Sequence, residues 1–472
     1  MTPLGYVLLP IGLAGLLFSS KWLYLFFVFW TLFSATSFAN FGEGDNGSAM
    51  QMWMFFGFLW LLRLILERLS TISFAIDRRI LRPCLWLFVF LMVASSSLIM
   101  PAYIGGRLMI TSPILSESTE TPLYLTTHNF TQLLYLVFGI AIAVCVAHHN
   151  LNEEHRHETE RIIMVSAIFI CFWGLFQFAC NVTGLPYPDY VFNTSGSASG
   201  KGFAETLDGE LKRVTSAAVE PSVLAQGLVC LLPLTLPALL RRGSIFSITI
   251  DRFCAVLFLI VLLISTSSTA YLGMFILLVL FVALLLRAHA LSKTKAVVLL
   301  ALAATAVMGV VAIGLLSIPV ISDVVKSALL NKSSSGSGLE RLMTIQLAFG
   351  YFQKFPILGI GFGSATSHDL IVKLLSNIGI VGTLLFFAAI LSILRANWRR
   401  VDSLVAPASL SRSAWLLSLA VFVFTSVLIE FPLVFGNFWL ILGMAIATSA
   451  DSDESLSRNL LPEGNLSHSG SA

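Results

Sequence analysis

Apolar runs of about 16 to 23 residues recur along nearly the whole chain, each close to the roughly 20 residues a helix needs to cross a bilayer. Lipid offers backbone N–H and C=O groups no partners, so runs of this length are read as spanning helices, which satisfy those groups internally. Composition agrees. Of 472 residues 57% are hydrophobic and 11% charged, where an ordinary soluble domain carries roughly 25% charged residues. The expected fold class is an all-α polytopic integral membrane protein. About 12 to 13 transmembrane helices are expected, near 4–19, 22–39, 50–66, 84–105, 130–147, 162–181, 221–240, 253–267, 270–287, 296–317, 376–394, 413–430 and 434–449.

The net charge of +3 says little, but its distribution sets an orientation. Alternate connections collect Lys21, then Arg68, Arg78, Arg79 and Arg82, then Arg156 and Arg161, then Arg241, Arg242 and Arg252, then Lys293 and Lys295, then Arg395, Arg399, Arg400 and Arg412. The positive-inside bias makes these cytoplasmic. The opposite set holds an acidic turn at Glu43 and Asp45, a loop near 106–129, and two long loops near 182–220 and 318–375, all expected to face outward. Residues 1–449 are read as one transmembrane domain and the Ser-rich 450–472 as a disordered cytoplasmic tail. The first apolar run lacks a basic leader and is followed at once by another, so it is read as a retained span.

The six cysteines lie in or beside apolar runs with no CxxC spacing and are read as small core residues. His148, His149, His155 and His157 alternate with Glu153, Glu154, Glu158 and Glu160 in no recognisable ligand pattern, which suggests a solvated charged loop and no metal.

Chemistry is expected where ionisable groups gather in the long outward loops beside helix ends. In the first loop Lys212 and Arg213 precede Ser216, Glu220, Pro221 and Ser222. Proline suits the first helical position, so a helix should begin at Pro221 with Glu220 at the outer surface. Its free N–H groups and the nearby Arg213 complement an anion. In the second loop Ser337-Gly338-Leu339-Glu340 matches a capping box, so a helix should start there, carry Arg341 in its first turn and stop at Phe355-Pro356. The glycines of Pro356-Ile357-Leu358-Gly359-Ile360-Gly361-Phe362-Gly363-Ser364 permit either a nest of N–H groups around an anion or a plain tight turn. Ser367-His368-Asp369 follows, and histidine suits proton transfer near neutral pH.

These stretches, RVTSAAVEPS at 213–222, the hairpin around 265–270, and Arg341 through FPILGIGFGS, SHD and LSNIGIVG, resemble the bacterial O-antigen ligase and O-antigen (exopolysaccharide) polymerase superfamily over roughly the last 260 residues. The resemblance implies a type C glycosyltransferase-like membrane enzyme of the bacterial inner membrane, with its active site facing the periplasm. It would use undecaprenyl-pyrophosphate-linked oligosaccharide and no cofactor, metal or nucleic acid. By motif position Arg213 and Arg341 would bind the pyrophosphate, since arginine's forked donors suit phosphate oxygens. The catalytic base would be His368, Asp369 or Glu220; the family often has asparagine where Asp369 stands. Glu-Pro-Ser at 220–222 is closer to polymerases than to ligases, so polymerisation of lipid-linked repeat units is expected, with ligation to lipid A core as the alternative. Membrane lipids, a chain-length regulator and a flippase are the partners such an enzyme implies. A lipid or glycan transporter is the alternative of another class, but it would place polar groups mid-span, where this chain has almost none.

Overall fold

The computed structural model describes residues 1–41, 48–71, 77–112, 119–195, 206–207, 211–288, 295, 336–401, 407–427, 429 and 434–450. The acidic turn at 43–45, the expected span near 296–317, residue 430 and the tail after 450 lie outside them. The described chain is mostly helical. Helices α1 (Pro3–Phe18) and α2 (Ser20–Trp30) form an opening hairpin. Pro3 sits in the first turn of α1, and the Thr2 hydroxyl accepts from Gly5 N–H.

The span expected near 22–39 is shorter than the sequence suggested. Helix α2 stops at Trp30 because Thr31, Ser34, Thr36 and Ser37 interrupt the apolar run, and the chain turns into a hairpin of β1 (Ser37–Phe41) and β2 (Ser48–Gln51). Two further two-stranded hairpins, β3 (Met109–Ser112) with β4 (Thr119–Pro122) and β5 (Thr206–Leu207) with β6 (Leu211–Lys212), also lie in expected outward loops, so the fold is not purely α. Helices α3 (Met52–Thr71), α4 (Arg78–Ser97), α5 (Ile99–Ile104), α6 (Thr127–His149) and α7 (Glu153–Thr183) follow.

Helix α8 (Pro221–Leu231) gives way to a short 3-10 turn and α9 (Leu236–Leu239), because Pro233 and Pro237 cannot supply the N–H groups a continuous α-helix needs. Then come α10 (Ile248–Ile264), α11 (Ser268–Arg287), α12 (Gly336–Lys354), α13 (Leu370–Arg399), α14 (Pro407–Thr425) and α15 (Gly436–Ala450). Among the described residues six helical stretches are long and apolar enough to cross a membrane: 78–104, 127–149, 153–183, 221–239, 268–287 and 370–399.

Helices α8 and α15 form the centre of the bundle, with every residue of each buried. Small residues let α15 approach its neighbours: a Cβ on Gly139 of α6 would lie 2.0 Å from the Trp439 ring, and one on Gly443 2.7 Å from Ala143 O.

At the basic end, buried polar groups tie the helices together. Asn150 donates to Tyr24 Oη at 2.7 Å, and Thr159 Oγ1 donates to Asn150 Oδ1 at 2.7 Å. Glu160 accepts from Ser411 Oγ at 2.6 Å and Trp415 Nε1 at 3.0 Å, joining α7 to α14. The histidine-rich connection is therefore less solvated than its sequence implied. His149 stacks on His155 at 4.3 Å and packs on Tyr24 and Trp60, while Arg156 and Glu160 are buried. Asp77 caps α4 and forks onto the Arg79 guanidinium, which holds its carboxyl below the usual carboxylate range.

Candidate functional site

Helix α8 begins at Pro221, as its sequence predicts, with Glu220 in extended conformation at the N-cap. Because the helix behind it is wholly buried, Glu220 projects from a rigid element. The Ser222 hydroxyl donates to Glu220 Oε2 at 2.8 Å, and Arg341 Nη2 donates to the same oxygen at 3.3 Å. Glu220 and Arg341 are each less than one-third exposed as side chains. Helix α12, which carries Arg341, runs from Gly336 to Lys354, within a residue of the expected bounds. The second loop thus brings its arginine onto the first loop's carboxylate.

Arg213 reaches the turn between α10 and α11. Its Nη2 donates to Thr266 O at 3.0 Å and its Nε to Thr266 Oγ1 at 3.2 Å. Thr266 has φ 49° and nearby Ser216 φ 54°, conformations that non-glycine residues rarely hold without support from their surroundings. Ser216 is supported on three sides: its N–H donates to Gln177 Oε1 at 2.7 Å, its hydroxyl to Ile170 O at 2.8 Å, and its carbonyl accepts from Tyr187 Oη at 3.3 Å. Burial pushes the Tyr187 phenol well above its ordinary ionisation range, so it stays a donor. Gln177 Oε1 also accepts from Thr215 N–H at 2.9 Å. A buried glutamine inside an apolar run thereby shapes the segment from Arg213 to Glu220, and its isolation in that run was the available sequence signal.

The glycine loop is a structural clamp and not a ring of free N–H donors. Gly379 breaks α13 with φ 64° and ψ −169°, a region essentially reserved for glycine. Groups released by the break pair with the loop: Ile380 and Val381 N–H donate to Pro356 and Ile357 O at 2.8 and 3.5 Å, and Ile360 and Gly361 N–H donate to Ser376 and Asn377 O at 2.8 and 3.0 Å. Phe362 N–H goes to Ser97 Oγ, and Ser364 and Ala365 N–H to Asn377 Oδ1. Asn129 at the start of α6 donates to Phe362 O at 2.8 Å. With these donors spent, the tight-turn reading holds and the anion-nest reading does not.

His368 and Asp369 follow the clamp at the start of α13. Asp369 caps that helix, accepting from Val372 N–H at 2.8 Å. His368 is half-buried and makes no hydrogen bond among the described residues to Glu220, Arg213 or Arg341. It shares their end of the bundle through one chain of contacts: Leu370 N–H donates to Ser426 O at 3.3 Å, and Gln226 Nε2 of α8 donates to Ser426 Oγ at 3.0 Å. The structure therefore joins Glu220 with Arg341 directly, holds Arg213 on the 265–269 turn beside α8, and leaves His368 and Asp369 linked to α8 only through Ser426 and Gln226.

Neither a scan against protein-family models nor a search of curated proteins gives a match for this chain.

Proposed function

We propose that this end of the bundle is the active site of a membrane glycosyltransferase that polymerises lipid-linked glycan repeat units. The observation that carries the reading is the Glu220–Arg341 pair. Two segments far apart in sequence each contribute one charged residue to the same half-buried point at one end of the helical bundle. A carboxylate and a guanidinium at a helix end, with Arg213 on a neighbouring turn, suit a substrate whose pyrophosphate is anchored in lipid and whose sugars extend into water. A transporter would want such groups mid-span. Arg63, inside α3, pairs with Glu67 and donates to Leu16 O at the end of α1.

In the proposed reaction a hydroxyl oxygen of the incoming lipid-linked repeat unit attacks the anomeric carbon of the growing glycan. The bond from that carbon to the pyrophosphate oxygen breaks, and the electron pair leaves with undecaprenyl pyrophosphate. Arg213 and Arg341 take up the developing negative charge through charge-assisted hydrogen bonds. Arrival of the pyrophosphate draws Arg341 away from Glu220. The hydroxyl proton passes to His368 or to Glu220, whose Oε1 makes no hydrogen bond among the described residues; Asp369 serves chiefly as a cap.

The test is the lipid-linked glycan profile of cells carrying Glu220→Gln or His368→Ala at wild-type membrane levels. The base is whichever variant accumulates single repeat units, and full-length polymer from both would remove the proposed acid–base step.

A further inference from the structure

A large cleft lies at the opposite end of the molecule. Ala35 N–H donates to Ala217 O at 3.0 Å, so the β1–β2 hairpin shares the Glu220 end, and α3, which leaves that hairpin, carries Arg68 to the other end. Helix α6 likewise starts at the glycine clamp through Asn129 and ends at His148 and His149. There α3 packs mainly on α2 and α6 mainly on α15, leaving a cleft of about 1010 Å³ between them. That is as large as the roughly 300 to 1,000 Å³ of ordinary small-molecule sites.

The walls of the cleft are two stripes at helical spacing, Leu61, Leu64 and Ile65 from α3 and Ala141, Val144 and Cys145 from α6. At its mouth both stripes change character, to Glu67 and Arg68 on α3 and His148 on α6, with Lys21, Asp77 and Arg79 alongside, so three basic side chains face two carboxylates. Arg68 Nη2 lies 3.0 Å from His148 Nε2. Arginine can only donate, so Nε2 accepts and His148 carries its proton on Nδ1, a donor with no acceptor among the described residues. Lys21 pairs with Glu158 in a partly exposed ion pair, a weak class of contact, whereas Arg79 is forked onto Asp77 and offers a phosphate only its remaining donors.

An apolar slot between two helices whose mouth holds more basic than acidic side chains matches an amphipathic anion. Basic pockets between transmembrane helices at the cytoplasmic side suit acidic lipid headgroups. We infer that this cleft binds an anionic diacyl phospholipid, with an acyl chain along the α3 and α6 stripes and the phosphate at Arg68, Lys21 and Arg79. The apolar walls favour a lipid over a free phosphate compound, which would leave them wet. The inference does not depend on the glycosyltransferase reading.

The full-length protein, purified in detergent and freed of lipid, is titrated with phosphatidylglycerol, phosphatidylcholine or inorganic phosphate and read by native mass spectrometry. Phosphatidylglycerol binds in preference to phosphatidylcholine. Arg68→Gln weakens it about fivefold, the worth of one basic residue beside an acidic lipid. Ala141→Trp, which fills the slot without changing charge, removes it, while Arg242→Gln elsewhere on the chain leaves it unchanged. Wild-type binding of phosphatidylglycerol by both Arg68→Gln and Ala141→Trp overturns the site. Displacement of phosphatidylglycerol by an equal concentration of inorganic phosphate reassigns it to a free phosphate ligand and overturns the lipid assignment.

Discussion

Arg341 Nη2 stands 3.3 Å from Glu220 Oε2, although 121 positions separate the two residues in the chain. Partly exposed ion pairs of this kind contribute only about 0 to 1 kcal/mol to stability, so a structural purpose is a poor explanation for bringing two loops together. Substitution should therefore separate activity from folding. Arg341→Ala is expected to lower glycan transfer about a hundredfold, the usual effect of removing one donor to a developing anion. Its melting temperature in detergent should stay close to wild type. Arg341→Lys keeps the charge but loses the fork and should recover only part of the activity.

The clamp around Gly379 should be a stability element. A Cβ there would lie 2.1 Å from Ile357 O, and one on Gly359 would lie 2.5 Å from Asn377 C. Gly379→Ala combines that clash with a backbone region costing about 1 to 3 kcal/mol for a non-glycine residue. A clear fall in melting temperature is expected for Gly379→Ala and Gly359→Ala. Gly350, within α12, has nothing within 4 Å of its added Cβ. There alanine should stabilise by about 0.5 to 1 kcal/mol through helix propensity.

Gln177 is expected to act by positioning the Arg213 segment. Gln177→Leu leaves the Thr215 and Ser216 N–H groups buried without an acceptor, at about 1 to 3 kcal/mol each. Gln177→Glu retains both backbone acceptor contacts, and the Thr215 hydroxyl can turn to donate to its second oxygen, at the cost of a carboxylate in a buried position. Transfer measured in membranes should drop strongly in the leucine variant and be rescued in large part by glutamate. Wild-type transfer by the leucine variant would remove the positioning role.

A double-variant comparison tests whether Arg213 and Arg341 serve one substrate group. If both hold the pyrophosphate, removing the second arginine after the first should cost much less than its single effect, since residues acting as a unit are not additive. Independent, fully multiplicative losses would place them on different groups.

Much of the helical framework was legible because its signals are local. Pro221 after an extended Glu220, and the stop at Phe355-Pro356, announced helix ends that the structure has within a residue. The end of α2 at Trp30 was harder, since Phe33, Phe38 and Ala39 kept the run apolar while Thr31, Ser34 and Thr36 ended the helix. The pairing of the glycine loop with the kink at Gly379 was not legible from either motif alone. Each motif asked for a close backbone approach, and only the fold shows that they approach each other. The histidine cluster read as solvated because its charges alternate, but burial of Arg156 and Glu160 depends on α14 arriving from far along the chain.

The most direct test of the central claim is the glycan profile of a polymerase-deficient host complemented with wild type, Arg213→Ala, Arg341→Ala or His368→Ala, each matched for membrane level. Long polymer is expected from wild type, with single lipid-linked repeat units accumulating in both arginine variants. Full polymer from both arginine variants would contradict the site, and long lipid-linked chains in a strain from which this gene alone is deleted would make the enzyme a ligase.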